Sequence, residues 1–138
     1  MNIAPLFPLT IYYDASCPLC RSEMEALKAR DAGSLLCLVD CSAPTFNEAP
    51  CIAEGVTRPM MMARIHARDA NGRWLRGIDV FALAYRAAGF TALATVYESR
   101  LLRPLFDRIY PWIADHRDLL SRFGLPRLFH WLAPPRRK

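Results

Sequence analysis

Ten residues, Tyr12-Tyr13-Asp14-Ala15-Ser16-Cys17-Pro18-Leu19-Cys20-Arg21, fix what this chain can fold into, because an apolar run ends in them and a helical pattern begins. Leu9 to Tyr13 closes on β-branched and aromatic residues, as a buried strand does. Pro18 suits the first helical position, where its missing N–H has no intrahelical acceptor. Cys17 therefore falls at the N-cap and Cys20 in the first turn. In a regular helix, Cβ atoms at i and i+3 lie about 5–6 Å apart. A disulfide wants roughly 3.8 Å. An N-cap Cys17 outside helical geometry can approach Cys20 more closely, so the pair can close and reopen. The unpaired N–H groups and positive dipole end of the helix favour a thiolate on Cys17, the form that attacks a disulfide. This makes Cys17 the candidate nucleophile and Cys20 the candidate resolving thiol. Asp14 complicates the site, since a carboxylate near Cys17 opposes the thiolate. Two roles are open to it: a buried proton acceptor for the resolving thiol, or an Asx cap that ties Ala15 and Ser16 into the turn.

The helix after Pro18 is expected to run to about Arg30, with Cys20, Met24 and Leu27 on one face. Asp31-Ala32-Gly33-Ser34 breaks it, and Leu35 to Asp40 reads as a second strand buried on both faces. Strand, helix and strand in this order imply a right-handed parallel crossover with the cysteine pair at the carboxyl end of the first strand, the edge at which open α/β sheets bind ligands. Cys37, within the second strand, reads as a small buried hydrophobe. Cys41 and Cys51, in or beside an irregular stretch from Ser42 to Arg58, are candidates for exposed, modifiable thiols. Together Cys17, Cys20, Cys37 and Cys41 form C-x₂-C-x₁₆-C-x₃-C, close to a four-cysteine zinc pattern. The competing reading is thus a zinc-stabilised, non-enzymatic interaction module.

Thr57 can cap a short helical turn through Met62, and Met60 to Met62 read as core fillers ahead of an adaptable partner groove. Arg64 to Arg68 alternates as a strand, Asp69-Ala70-Asn71-Gly72 makes a tight hairpin, and Arg73 to Arg76 returns. After Gly77, Ile78 to Tyr85 has helical spacing. His66 reads as a structural hydrogen-bonder. From Thr91 the pattern is helical with breaks at Pro104, Pro111 and Pro126. The segment Leu119 to Leu132 and the basic residues Arg136, Arg137 and Lys138 offer weak contact with an anionic membrane surface; docking on the chain's own domain is the simpler expectation.

These residues resemble the DCC family of thioredoxin-like thiol-disulfide oxidoreductases, named for the Asp, Cys and Cys that here are Asp14, Cys17 and Cys20. The resemblance continues through His66-Ala67-Arg68-Asp69-Ala70-Asn71-Gly72-Arg73 and Gly77, and reaches Tyr110, Trp112, Ile113, Ala114 and Arg117. Ala15 stands where the family usually has glycine, and Ser16 where it usually has Asp or Asn. The resemblance implies an α/β, thioredoxin-like fold: a central mixed four-stranded sheet flanked by helices, with a C-terminal helical extension. Residues 1–90 would form the core and 91–138 an extension of the same domain. Such proteins place a cis-proline before the third strand, for which Pro59 is the nearby candidate.

The 138 residues, 53% hydrophobic and 22% charged, fit one folded domain. No apolar run is long enough to span a membrane and the first residues lack the parts of a signal peptide, so a cytoplasmic location is expected. Five cysteines in that compartment point to redox or metal chemistry before structural disulfides. A net charge of +5 favours weak attraction to acidic partners, but no nucleic-acid motif accompanies it, and no specific nucleic-acid binding is expected. The expected activity is thiol-disulfide exchange at the Cys17–Cys20 pair, with a disulfide- or dithiol-containing protein or small molecule as substrate and no added cofactor.

Overall fold

In a computed structural model, residues 7–122 are described. Their order is β1 (Leu9–Tyr13), α1 (Pro18–Ala29), β2 (Leu36–Asp40), α2 (Ala49–Ile52), α3 (Arg58–Ala63), β3 (His66–Arg68), β4 (Trp74–Arg76), α4 (Ile78–Ala87), α5 (Thr91–Glu98), α6 (Arg103–Asp115) and α7 (Arg117–Arg122). The strands form one sheet in the order β2-β1-β3-β4. β1 and β2 run parallel, with Leu9 opposite Leu36 and Tyr13 opposite Asp40. β3 is antiparallel to both β1 and β4. This mixed four-stranded sheet flanked by helices is the thioredoxin-like arrangement expected from the sequence.

Alternation along β1 divides the interior. Leu9, Ile11 and Tyr13 face the larger core, where α1 supplies Met24 and Leu27 and α4 supplies Val80, Ala84 and Tyr85. Tyr12 points the other way, into a smaller cluster built from Cys41, Cys51, Val56 and Met61 with Phe46 and Trp74. The methionine run splits accordingly: Met61 is buried and Met60 is exposed.

Several expectations change. Cys37 is exposed, not buried. β2 is an edge strand; Leu36 turns into the larger core, whereas the smaller cluster lies over β1 and β4 and leaves the opposite face of β2 open. Cys41 and Cys51 are buried, not exposed. The stretch around Cys51 folds into α2, and Arg58 ties it down by donating to the carbonyls of Cys41 at 2.7 Å and Ala43 at 2.9 Å. Pro59 lies in the first turn of α3, and the cis peptide among the described residues is Phe7–Pro8. Pro104 starts α6 as expected, but Pro111 sits inside that helix. It forfeits one backbone hydrogen bond on an element with no buried residue, where water can compensate. Pro126 and the basic terminal residues lie outside the described residues, as does most of the segment read as a membrane contact. No helix among the described residues is long and apolar enough to cross a membrane.

The α1–β2 turn hangs on Asp31. Its buried carboxylate accepts from the N–H groups of Leu35 and Leu36, both at 2.9 Å, and from Lys28 Nζ at 3.2 Å. Asp31→Ala strands two donors at the entry to β2, so we expect a loss of roughly 2–4 kcal/mol, measured as a lower urea midpoint at unchanged slope.

Candidate active site: a cysteine pair at a helix start

The turn after β1 is built from carboxylates. Asp14 Oδ1 accepts from the Ser16 N–H at 3.0 Å and from the Ser16 hydroxyl, an Asx-type cap, and the Cys17 N–H donates to the Asp14 carbonyl at 3.3 Å. Asp40, which the parallel register sets opposite Tyr13, accepts from the Ala15 N–H at 3.1 Å and from both donors of Ser42. The second oxygen of Asp14 pairs with Arg117 at 3.0 Å. Of the two roles open to Asp14, its contacts are those of the cap, with an ion pair added.

Cys17 is the N-cap of α1, with extended backbone (φ −80°, ψ 115°) and Pro18 in the first turn. Its Sγ accepts from the Cys20 N–H at 3.4 Å, and the Cys20 thiol donates to it as well. That thiol bond is the main reason the Cys17 pKa falls to about 6; burial opposes the fall, and the Cys20 N–H, the Arg117 charge and the Leu19 N–H add to it. The same bond, reinforced by burial, drives the Cys20 thiol far above its ordinary range. Arg117 faces both the Asp14 carboxylate and the thiols. It answers the repulsion that Asp14 would otherwise exert on a thiolate.

Cys17 is only 3% exposed. α7 packs against the start of α1, where Ser121 Oγ accepts from the Leu19 N–H at 3.3 Å, one of the N–H groups a helix start leaves unpaired. Cys20 instead opens into a cavity of about 280 Å³ between α1, α4 and α6, walled by residues such as Phe81, Ile109 and Ile113, with Asp14 and Arg117 also on its lining. Glu23, one turn on from Cys20, lines the same space and accepts from the Tyr85 hydroxyl at 2.8 Å. Burial raises the Glu23 pKa to about 7; the Tyr85 bond lowers it in part and the Cys17 charge raises it further.

The structure thus brings Asp14, Cys17 and Cys20 together as the sequence predicts. It does not bring in the other cysteines: Cys37 is exposed on β2, while Cys41 and Cys51 belong to the smaller cluster on the far face of β1. Among the described residues, no group of three or more His, Cys, Asp or Glu side chains is placed to hold a metal, so the four-cysteine zinc pattern has no geometric counterpart. His66 is buried, its Nδ1 set 2.9 Å from the Arg64 carbonyl, a structural position. Sequence reasoning missed Glu23, Tyr85 and Ser121, and noted Arg117 only within the family resemblance. Glu23 carried a signal: three residues after Cys20, it is a charged residue on the face that buries Met24 and Leu27.

A chloroplastic Arabidopsis thaliana protein described as uncharacterized is 26% identical over 110 residues, which cover 79% of this chain and 50% of that protein. The chain therefore spans about half the length of that relative. No solved structure matches it. The model of the DCC1-like thiol-disulfide oxidoreductases matches residues 11–123, the stretch that carries the turn, the cysteine pair, Glu23 and Arg117, and the chain belongs to that family.

Proposed function

We propose that the protein exchanges disulfides through Cys17 and Cys20. In the reducing direction, Cys17 Sγ attacks a substrate disulfide, one substrate sulfur leaves as a thiolate, and Cys20 then displaces the other by closing the Cys17–Cys20 bond. In the oxidising direction the same steps run in reverse. A disulfide- or dithiol-bearing protein or small molecule is the partner, and no cofactor enters the exchange. The observation that carries this reading is the placement of the pair: Cys17 caps α1 with its Sγ accepting from the Cys20 N–H at 3.4 Å and the Arg117 charge nearby, which favours its thiolate, while Cys20 stands one turn on in the cavity wall. A nucleophile and a waiting second thiol differ in that way. Asp14 acts as a positioning residue, fixing the turn and holding Arg117 beside the sulfurs.

The test is a titration of the purified protein across thiol-disulfide buffers, with alkylation and peptide mass spectrometry as the readout. We expect one reversible two-electron transition confined to Cys17 and Cys20. Cys37, being exposed, is alkylated throughout, and Cys41 and Cys51 resist until the protein unfolds. No transition at the pair across the whole range overturns the reading.

A further inference from the structure

Resolving a mixed disulfide asks more of Cys20 than attack asks of Cys17. Cys20 is held as a thiol, partly out of solvent, and must give up its proton where it stands before it can attack Cys17 Sγ. We propose that Glu23 is the base that takes this proton, with the Tyr85 hydroxyl holding its carboxyl in place. The proposal rests on the exchange reading above and assigns a residue to its second step.

The geometry narrows the choice. Cys20 and Glu23 stand at i and i+3 on α1, with Cβ atoms about 5–6 Å apart, and both open into the one cavity. The Glu23 carboxyl is close enough for its charge to raise the Cys20 thiol further, and the shared cavity gives the two groups a common space in which a proton can pass. The other nearby carboxylates are committed: Asp14 to Ser16 and Arg117, Asp40 to Ala15 and Ser42. The titratable groups around Glu23 are Cys17 and Cys20 on its own helix, Tyr85 on α4, Tyr97 on α5, Tyr110 on α6, and Arg117 on α7, which faces the two thiols. Burial pushes all three tyrosines above their ordinary range, so of these groups Cys17 and Glu23 alone titrate between pH 5 and 8. Once Cys17 is joined to the substrate it holds no charge, and Glu23 remains.

In the step itself, the Cys20 proton passes to a Glu23 carboxylate oxygen as Cys20 Sγ bonds to Cys17 Sγ. The bond between Cys17 and the substrate sulfur breaks, and its electron pair leaves on the substrate thiolate. The pair is oxidised, the substrate disulfide is reduced, and Glu23 passes the proton to the departing thiolate.

With the exposed Cys37 replaced by serine throughout, so that no other accessible thiol reacts, dithionitrobenzoate separates the two steps, because attack by Cys17 releases one coloured thiolate and resolution by Cys20 the second. In Glu23→Gln, whose amide oxygen can still accept from Tyr85, the first release should stay within about threefold of wild type while the second slows about 10- to 100-fold at pH 7 and loses its inflection, which in wild type lies below the resting value of about 7 because the joined Cys17 carries no charge. Tyr85→Phe removes a bond that holds the Glu23 pKa down, so there the inflection should move to higher pH. An unchanged second phase in Glu23→Gln overturns the assignment. Should that variant not fold by circular dichroism, an unshifted inflection in Tyr85→Phe overturns it instead. Failure of the exchange reading looks different: wild type then releases no first thiolate, and Cys20→Ser traps no mixed disulfide.

Discussion

A Cys17→Ser protein exchanges no disulfides, whereas a Cys20→Ala protein attacks one substrate and stays joined to it. The contrast follows from the division of labour at the helix start, and non-reducing electrophoresis with mass spectrometry of the adduct reads it out. Cys20→Ala also deletes the hydrogen bond that does most to lower the Cys17 pKa, so the thiolate should titrate above 6. The cost to the attacking step is modest. For a thiol titrating above the working pH, each unit of rise removes about tenfold of the thiolate but returns about threefold in nucleophilicity, a net loss of about threefold. The large effect is on turnover, which ends after one event.

The low pKa matters more for the redox poise than for the speed of attack. At pH 7 a thiol titrating near 6 is stabilised in its reduced form about tenfold more than one at the ordinary value near 9, which for a two-electron couple is a shift of about 30 mV. The sign is toward a more oxidising pair, since the reduced state gains. Because the pKa is depressed, the gain is complete above about pH 9 and lost as pH falls through about 6. Midpoint potentials measured against pH should therefore show a break near 6 in wild type that moves up in Arg117→Gln.

Arg117→Gln has the second large effect. α7 has six residues, none buried, and its ties to the site include the Arg117–Asp14 pair, an Arg117 hydrogen bond to the Cys20 sulfur and the Ser121–Leu19 hydrogen bond. Removing one partner of a fully buried ion pair costs about 3–5 kcal/mol; with Arg117 22% and Asp14 6% exposed, we expect about 1–3 kcal/mol here. If that loss falls mainly on the hold of α7 on the start of α1, the buried Cys17 there becomes reachable about tenfold or more as often. Iodoacetamide labelling across pH separates the two consequences. Above its inflection the Cys17 rate should rise, because α7 holds less firmly to the start of α1 where Cys17 lies buried. The inflection itself should move above 6, because Arg117 is one of the charges that lower it. Arg117→Lys, which keeps the charge without the paired geometry, should hold the inflection and raise the plateau less.

The crossover, the hairpin and the cysteine turn were legible because each depends on neighbours in sequence. Pro18 marks the start of α1, and the positive φ of Gly72 closes a turn in which Asp69 accepts from the Asn71 and Arg73 N–H groups, both at 2.9 Å. Gly77 shows the limit of local reading. Its positive φ is a local property, but its ideal Cβ would lie 3.4 Å from the Tyr110 ring, whose hydroxyl oxygen accepts from the Ile65 N–H at 2.9 Å. Gly77 and Tyr110 stand apart in the family resemblance and meet only in the fold, as do Asp14 and Arg117. What escaped the sequence depends on distant elements. An apolar strand does not say which of its faces a helix will cover, and so Cys37 was misplaced. The inward face of α1 does not say that Glu23 will find Tyr85 across the core.

Leu19 and Ser121, which meet at the start of α1, are 102 residues apart. The redox turn and its cover thus come from opposite ends of the described chain, and ordering that contact closes almost the longest loop it contains, at an entropic cost set by its length. During synthesis the cysteines emerge long before α7 does, and βαβ packing can precede its docking. Until α7 arrives, Cys17 lacks the Arg117 charge and the packing at the start of α1, and it reacts more as an open thiol. Labelling of Cys17 in nascent chains of increasing length should therefore fall sharply once α7 has cleared the ribosome, which makes the cysteine a reporter of completed folding as well as the proposed point of attack.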